Sequence, residues 1–135
     1  MGQTFRHDMR ASAHRHLEAG EHLKETHRKD VAGYLFGIAA ECALKHMMLM
    51  SGMRPLSADQ RREDPFYAHF EELKGMLRET ASGRLAAELR KYAERGSFMQ
   101  HWDVSMRYSD GKDIRRDWVE RWLSDAKDVI GAMDG

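Results

Sequence analysis

Cysteine is almost missing from this chain. One stands at position 42 in 135 residues, so no disulfide can close within the chain and no cysteine cage can hold a metal. That usage fits a reducing cytoplasm. Proline occurs only at 55 and 65, which leaves long stretches where helices can run without losing a backbone donor. Excess charge is missing too: 22 basic residues balance 22 acidic ones. A strong, sequence-independent grip on long nucleic acid is therefore not expected, although a local basic patch remains open. Nor is there an apolar run free of charge. Val31 to Met50 is about long enough to cross a bilayer, but Glu41, Lys45 and His46 interrupt it, and intramembrane charges are costly. The expected setting is the centre of a soluble bundle, with no membrane partner. The start, "MGQTFRHDMRASAHRH", lacks the apolar core of a signal peptide. Arg6 stands where a myristoylation signal needs Ser or Thr.

What the chain does have is helical periodicity. Its length suits one domain, expected over 1–135, with a single core. Met9, Ala13, Leu17, Gly20 and Leu23 recur at steps of three and four, which is one face of a first amphipathic helix. Asp30 is placed to cap a second helix from Val31, and "SGMRPLSADQRREDP" reads as a loop. Phe66, Phe70, Leu73 and Leu77 predict a third helix that ends at Ser82 and Gly83. Leu85, Leu89 and Tyr92 predict a fourth, stopping near Gly96, and Ile114, Trp118, Trp122, Val129 and Met133 a fifth. The expected fold class is all-α, an up-and-down bundle of about five helices.

One stretch breaks the helical period. In "WDVSMRYS", Trp102, Val104, Met106 and Tyr108 alternate with Asp103, Ser105, Arg107 and Ser109, the two-residue period of an extended strand. With no second strand to pair, it is expected to lie as an extended segment across the bundle before the last helix. A short irregular helix is the alternative.

The second helix carries two further signals. Gly33, Gly37 and Ala40 share nearly one face, so another backbone, in the bundle or across a dimer axis, could approach closely. Glu41 and Lys45 form an i, i+4 pair among apolar neighbours, and burial requires them to satisfy each other or to meet partners elsewhere.

The segment "DVAGYLFGIAAECALKHMM" resembles the helix typical of HEPN domains (higher eukaryote and prokaryote nucleotide-binding). The specific part of the resemblance spans about twenty residues, and the surrounding layout agrees with it. The resemblance implies a helical bundle, often a homodimer, in a fold that hosts ribonucleases, toxin partners of nucleotidyltransferases and non-catalytic modules. Catalytic members carry an Arg followed after four to six residues by a His, which cleave RNA without metal. The arginine holds the phosphate and the histidine moves a proton. Here "RGSFMQH" supplies Arg95 and His101, with Gly96 where the family often has Asn or Asp. A pair six apart would face different sides of a continuous helix, so both could reach one phosphate only if the chain breaks at Gly96 and Ser97.

Nearby, His101, Asp103, Arg107 and Tyr108 are the types that grip a nucleotide: a titratable ring, a cation and an aromatic face. Glu41 and Lys45 join them as candidate nucleotide- or phosphate-contacting residues, or else tie Asp103 and Arg107 in place. Metal and cofactor are not expected. His16 and His27 share a stripe but stand about 16 Å apart along the axis, His14 and His22 point to solvent, and neither Glu-x-x-His pairs nor His-Glu-x-x-His occurs.

Two functional readings follow. One is a dimeric HEPN-like module that binds nucleotide or RNA and cleaves RNA if Arg95 and His101 meet. The other is a non-catalytic partner that binds a nucleotidyltransferase, or a copy of itself, in toxin–antitoxin fashion. Trp118 and Trp122 on one stripe of the last helix, with Val119, Leu123 and Ile130 on another, offer more apolar surface than one neighbour covers, which favours dimerisation.

Overall fold

Asp8 opens the first helix by accepting the Ala11 N–H on its carboxylate at 2.9 Å, which satisfies one of the donors that every helix start leaves orphaned. The computed structural model describes residues 4–135, and within them the regular structure is entirely helical. Residues 1–3, where the lipidation signal would begin, lie outside this description. Helix α1 runs over Met9–Lys24, α2 over Lys29–Met50, α3 over Glu72–Thr80, α4 over Ala86–Glu94 and α5 over Arg116–Asp134. Three short 3-10 helices occupy Ala58–Glu63, Pro65–Tyr67 and Val104–Tyr108. The expected all-α bundle of about five helices is what forms.

Helix α2 is the axis of the bundle. It is apolar on most sides, and α1 and α5 pack along it, while α3 and α4 pair with each other at one end. The short turn between α1 and α2 makes them antiparallel neighbours. Phe36, Leu44, Met47 and Met48 of α2 share one buried cluster with Leu73 and Leu77 of α3, Leu89 and Tyr92 of α4, and Val119, Trp122 and Val129 of α5. Each such large side chain contributes about 2 kcal/mol of burial.

The small residues of α2 receive rings rather than a second backbone. Gly37 faces the indole of Trp102, and a β-carbon there would lie 1.9 Å from a ring atom; Gly33 faces the indole of Trp122 at 2.9 Å. The Trp102 Nε1–H donates to the Gly33 carbonyl at 3.2 Å. The glycine spacing is therefore used within the chain.

Four expectations require correction. Asp30 does not cap α2, which starts one residue earlier at Lys29; its carboxylate pairs with Arg28 and lies against Gly111. Helix α3 starts at Glu72, not near Phe66, because Asp64 caps a separate 3-10 turn by accepting the Phe66 N–H at 3.0 Å. The segment before α5 is not extended beyond its ends. Asp103 accepts both the N–H and the hydroxyl of Ser105, at 2.8 and 2.6 Å, and these local bonds wind Val104–Tyr108 into a 3-10 helix. Trp102 still faces the core, but Tyr108 is 79% exposed. Finally, Trp122, Val119 and Ile130 are buried within the one chain, while Trp118 and Leu123 are only partly covered, so most but not all of the two stripes of α5 is used inside the chain.

Candidate functional site

The segment from Arg95 to Tyr108 carries most of the candidate residues, and the structure divides them between three places. Helix α4 ends at Glu94, and the chain does turn at Gly96 and Ser97. Phe98 to Trp102 then runs through two non-glycine residues at positive φ, Met99 at 53° and His101 at 73°, a conformation that persists only where neighbours over-determine it. Three side chains do so here. Lys74, fully buried, donates to the carbonyls of Arg95 and Phe98 at 3.0 and 2.9 Å. Asp125 accepts the Met99 N–H at 2.8 Å, and the Trp122 indole N–H donates to the Gln100 carbonyl at 2.9 Å.

This turn does not bring Arg95 and His101 together on one phosphate. The Arg95 guanidinium lies 3.6 Å from Asp125 and 3.4 Å from Asp128, and over the rings of Tyr92 and Phe98 at 5.4 and 5.2 Å. His101 instead stacks on Trp118, with centroids 4.6 Å apart. Seven to ten residues of α5 separate these anchor points, about 10–15 Å along the helix. Arg95 is neutralised by two carboxylates. Burial pushes the Asp125 carboxyl above its ordinary value, partly offset by the Met99 N–H and the Arg95 charge.

Glu41 and Lys45 form the second place, and it is structural. Glu41 is 3% exposed and Lys45 7%, with Nζ 3.9 Å from Oε2. Glu41 also accepts the Phe70 N–H at 2.9 Å and faces His69 Nδ1 at 2.9 Å. One buried carboxylate thus pins the turn that leads into α3. Asp103 caps its own 3-10 helix, and the Ser105 hydroxyl and N–H hold its carboxyl below the usual range, with a smaller pull from His69. The sequence offered no signal for the roles of His69 and Lys74, since Glu41, which His69 meets, and the Arg95 and Phe98 carbonyls, which Lys74 holds, lie more than twenty residues away.

The third place is a cleft. Arg107 and Tyr34 line a pocket of about 180 Å³ with Arg28, Val31, Met106 and Ile114. Arg107 Nη1 donates to the Tyr34 hydroxyl at 3.4 Å, and its guanidinium lies 5.0 Å from the centroid of Tyr108. Tyr34 in turn stacks on Trp102, with centroids 5.7 Å apart and planes at 16°. Among the described residues no carboxylate comes within 4 Å of Arg107. A cation, the half-buried ring of Tyr34 and an apolar wall therefore face one cleft, with the exposed Tyr108 ring packed against the cation beside it. Tyr34 was missed because the sequence reads α2 as buried nearly all round.

No three His, Cys, Asp or Glu side chains gather as a metal site among the described residues, and no helix there is long and apolar enough to cross a membrane. Set beside family models, curated proteins and solved structures, the chain matches none of them.

Proposed function

We propose that this chain is a HEPN-like module that binds nucleotide or single-stranded RNA through the Arg107 cleft, and that it does so as a homodimer. Arg107 carries the reading. Among the described residues it is a cation without a carboxylate partner, placed between Tyr34 and the exposed ring of Tyr108, and Arg with aromatic faces is the chemistry that grips a phosphate while a base stacks. The net charge of zero suits a short, local contact better than a long electrostatic track.

The homodimer is supported by a stripe on α2. Val31, Leu35, Ile38 and Cys42 follow steps of three and four, Leu49 lies seven residues further on the same face, and each retains exposed surface. Val31 is 38% exposed. Ile38→Glu should shift sedimentation from dimer to monomer, and a wild-type protein that sediments as a monomer removes this part of the reading.

Binding is tested with a 3′-labelled single-stranded RNA by fluorescence anisotropy. Arg107→Ala should weaken it about tenfold, the scale of one charge-assisted contact. Affinity unchanged by Arg107→Ala, or no binding by the wild type, would overturn the site.

A further inference from the structure

A second pocket opens beside the Arg107 cleft and is of a different character. It has a volume of about 350 Å³ and shares Arg28, Asp30, Gly111 and Ile114 with the first. Its own walls add the cations Lys29, Lys112 and Arg116, together with Asp110, Thr26 and His27. These cations come from three elements: the start of α2, the loop after Ser109 and the start of α5. The carboxylate at the shared wall, Asp30, is engaged by Arg28. None of Lys29, Lys112 and Arg116 has a carboxylate within 4 Å among the described residues.

Among the described residues, the first pocket thus has apolar walls and one cation without a carboxylate partner, with the exposed Tyr108 ring against that cation, while the second is more polar and holds three such cations beside Asp110 and His27. An internal phosphodiester carries a single charge, which Arg107 alone can meet. A terminal phosphate monoester carries about −1.5 to −2 at neutral pH and offers three acceptor oxygens, so it calls for several cations at once. The unequal division of charge between adjoining pockets fits a ligand whose base and whose terminal phosphate are neighbours.

We infer that the paired pockets recognise a nucleoside bearing a terminal phosphate monoester, with the base against Tyr108 and Tyr34 and the phosphate held by Lys29, Lys112 and Arg116. This rests on the binding reading above and narrows it. The same chemistry is presented by a free mononucleotide and by the 5′-phosphorylated end of an RNA strand, and only the strand adds contacts beyond the first residue.

The test compares two 3′-labelled RNA strands of one sequence, with a 5′-phosphate or a 5′-hydroxyl, and uses AMP and adenosine as unlabelled competitors. The 5′-phosphorylated strand should bind about tenfold more tightly or better, and AMP should compete where adenosine does not. In Lys112→Gln/Arg116→Gln protein that advantage should vanish while the residual affinity for the 5′-hydroxyl strand remains. If AMP displaces the strand at concentrations close to the strand's own, the free nucleotide is the ligand; if it needs far more, the strand end is. Equal binding of both strands, still weakened by Arg107→Ala, overturns the terminal-phosphate inference and leaves the binding module standing. Binding of neither strand and neither competitor removes both. The strand comparison needs only the wild-type protein, so it does not depend on how the variants fold.

Discussion

The indole of Trp102 occupies the place where a side chain on Gly37 would begin: a β-carbon there would sit 1.9 Å from the ring. The ring has no freedom to retreat. Its N–H is bonded to the Gly33 carbonyl, Tyr34 stacks on one side and Phe70 meets it edge-on. The start of the segment that carries Asp103, Arg107 and Tyr108 is thereby locked to α2.

Gly37→Ala should therefore destabilise the protein by about 3 kcal/mol, the upper range for overpacking a core, even though Ala is the better helix former. Gly131 in α5 is the control, since nothing lies within 4 Å of a β-carbon built there. Gly131→Ala should stabilise by about 0.5–1 kcal/mol from propensity alone. Urea denaturation of both variants checks the pair, and similar shifts would contradict the lock.

The legible parts of this fold are those whose stabilising contacts repeat locally. Helices α1, α2 and α5 announce themselves through apolar spacing over 16 to 22 residues, and their ends fall within a few residues of the expected ones. The illegible parts are set by partners far away in sequence. Phe66 and Phe70 fit a helical face, but Phe70 gives its N–H to Glu41, 29 positions earlier, and so belongs to a turn. Alternation in Trp102–Ser109 satisfies a strand pattern, but a strand needs a neighbour, and Asp103 supplied a local alternative. Arg95 and His101 show the same limit. Their spacing is permitted, yet Asp125, Asp128 and Trp118 decide where each side chain goes.

Glu41 and Lys45 differ in what each would leave behind. Glu41→Gln strands a nearly buried ammonium and weakens the hold on His69, so it should cost about 3 kcal/mol, the scale for breaking a buried pair from one side. Lys45→Met removes the buried cation itself, while Glu41 keeps the Phe70 N–H and His69, so the cost should be about 1 kcal/mol. Equal losses on denaturation would mean that the carboxylate is not the anchor.

Tyr92 gives a pH dependence with a definite sign. Its side chain is 1% exposed, and burial first, then the Asp128 charge, push its hydroxyl up from 10.0 to about 12. Between those values the folded chain keeps a proton that the unfolded chain has released, so stability falls as pH rises through that window. Tyr92→Phe should flatten the fall between pH 10 and about 12. Spectrophotometric titration should show one of the four tyrosines ionising last, and its disappearance in the variant identifies it.

Arg95 and Arg107 should separate cleanly when each is removed. Arg95 lies across Tyr92 and Phe98 and between Asp125 and Asp128, so Arg95→Ala loses packing as well as ion pairs on a partly exposed site. About 1 kcal/mol of stability is expected to go, with RNA affinity unchanged. Arg107 is exposed and has no carboxylate partner among the described residues, so Arg107→Ala should leave stability within about 0.5 kcal/mol while binding weakens. Metal-free incubation with RNA adds the chemical readout. With Arg95 neutralised and His101 stacked on Trp118, these two residues are not set on one phosphate inside one chain. Wild type and His101→Ala should therefore leave the RNA equally intact. Fragments ending in 2′,3′-cyclic phosphate that appear with wild type and vanish with His101→Ala would show instead that Arg95 and His101 act on one phosphate after all, which two copies of the chain would have to arrange.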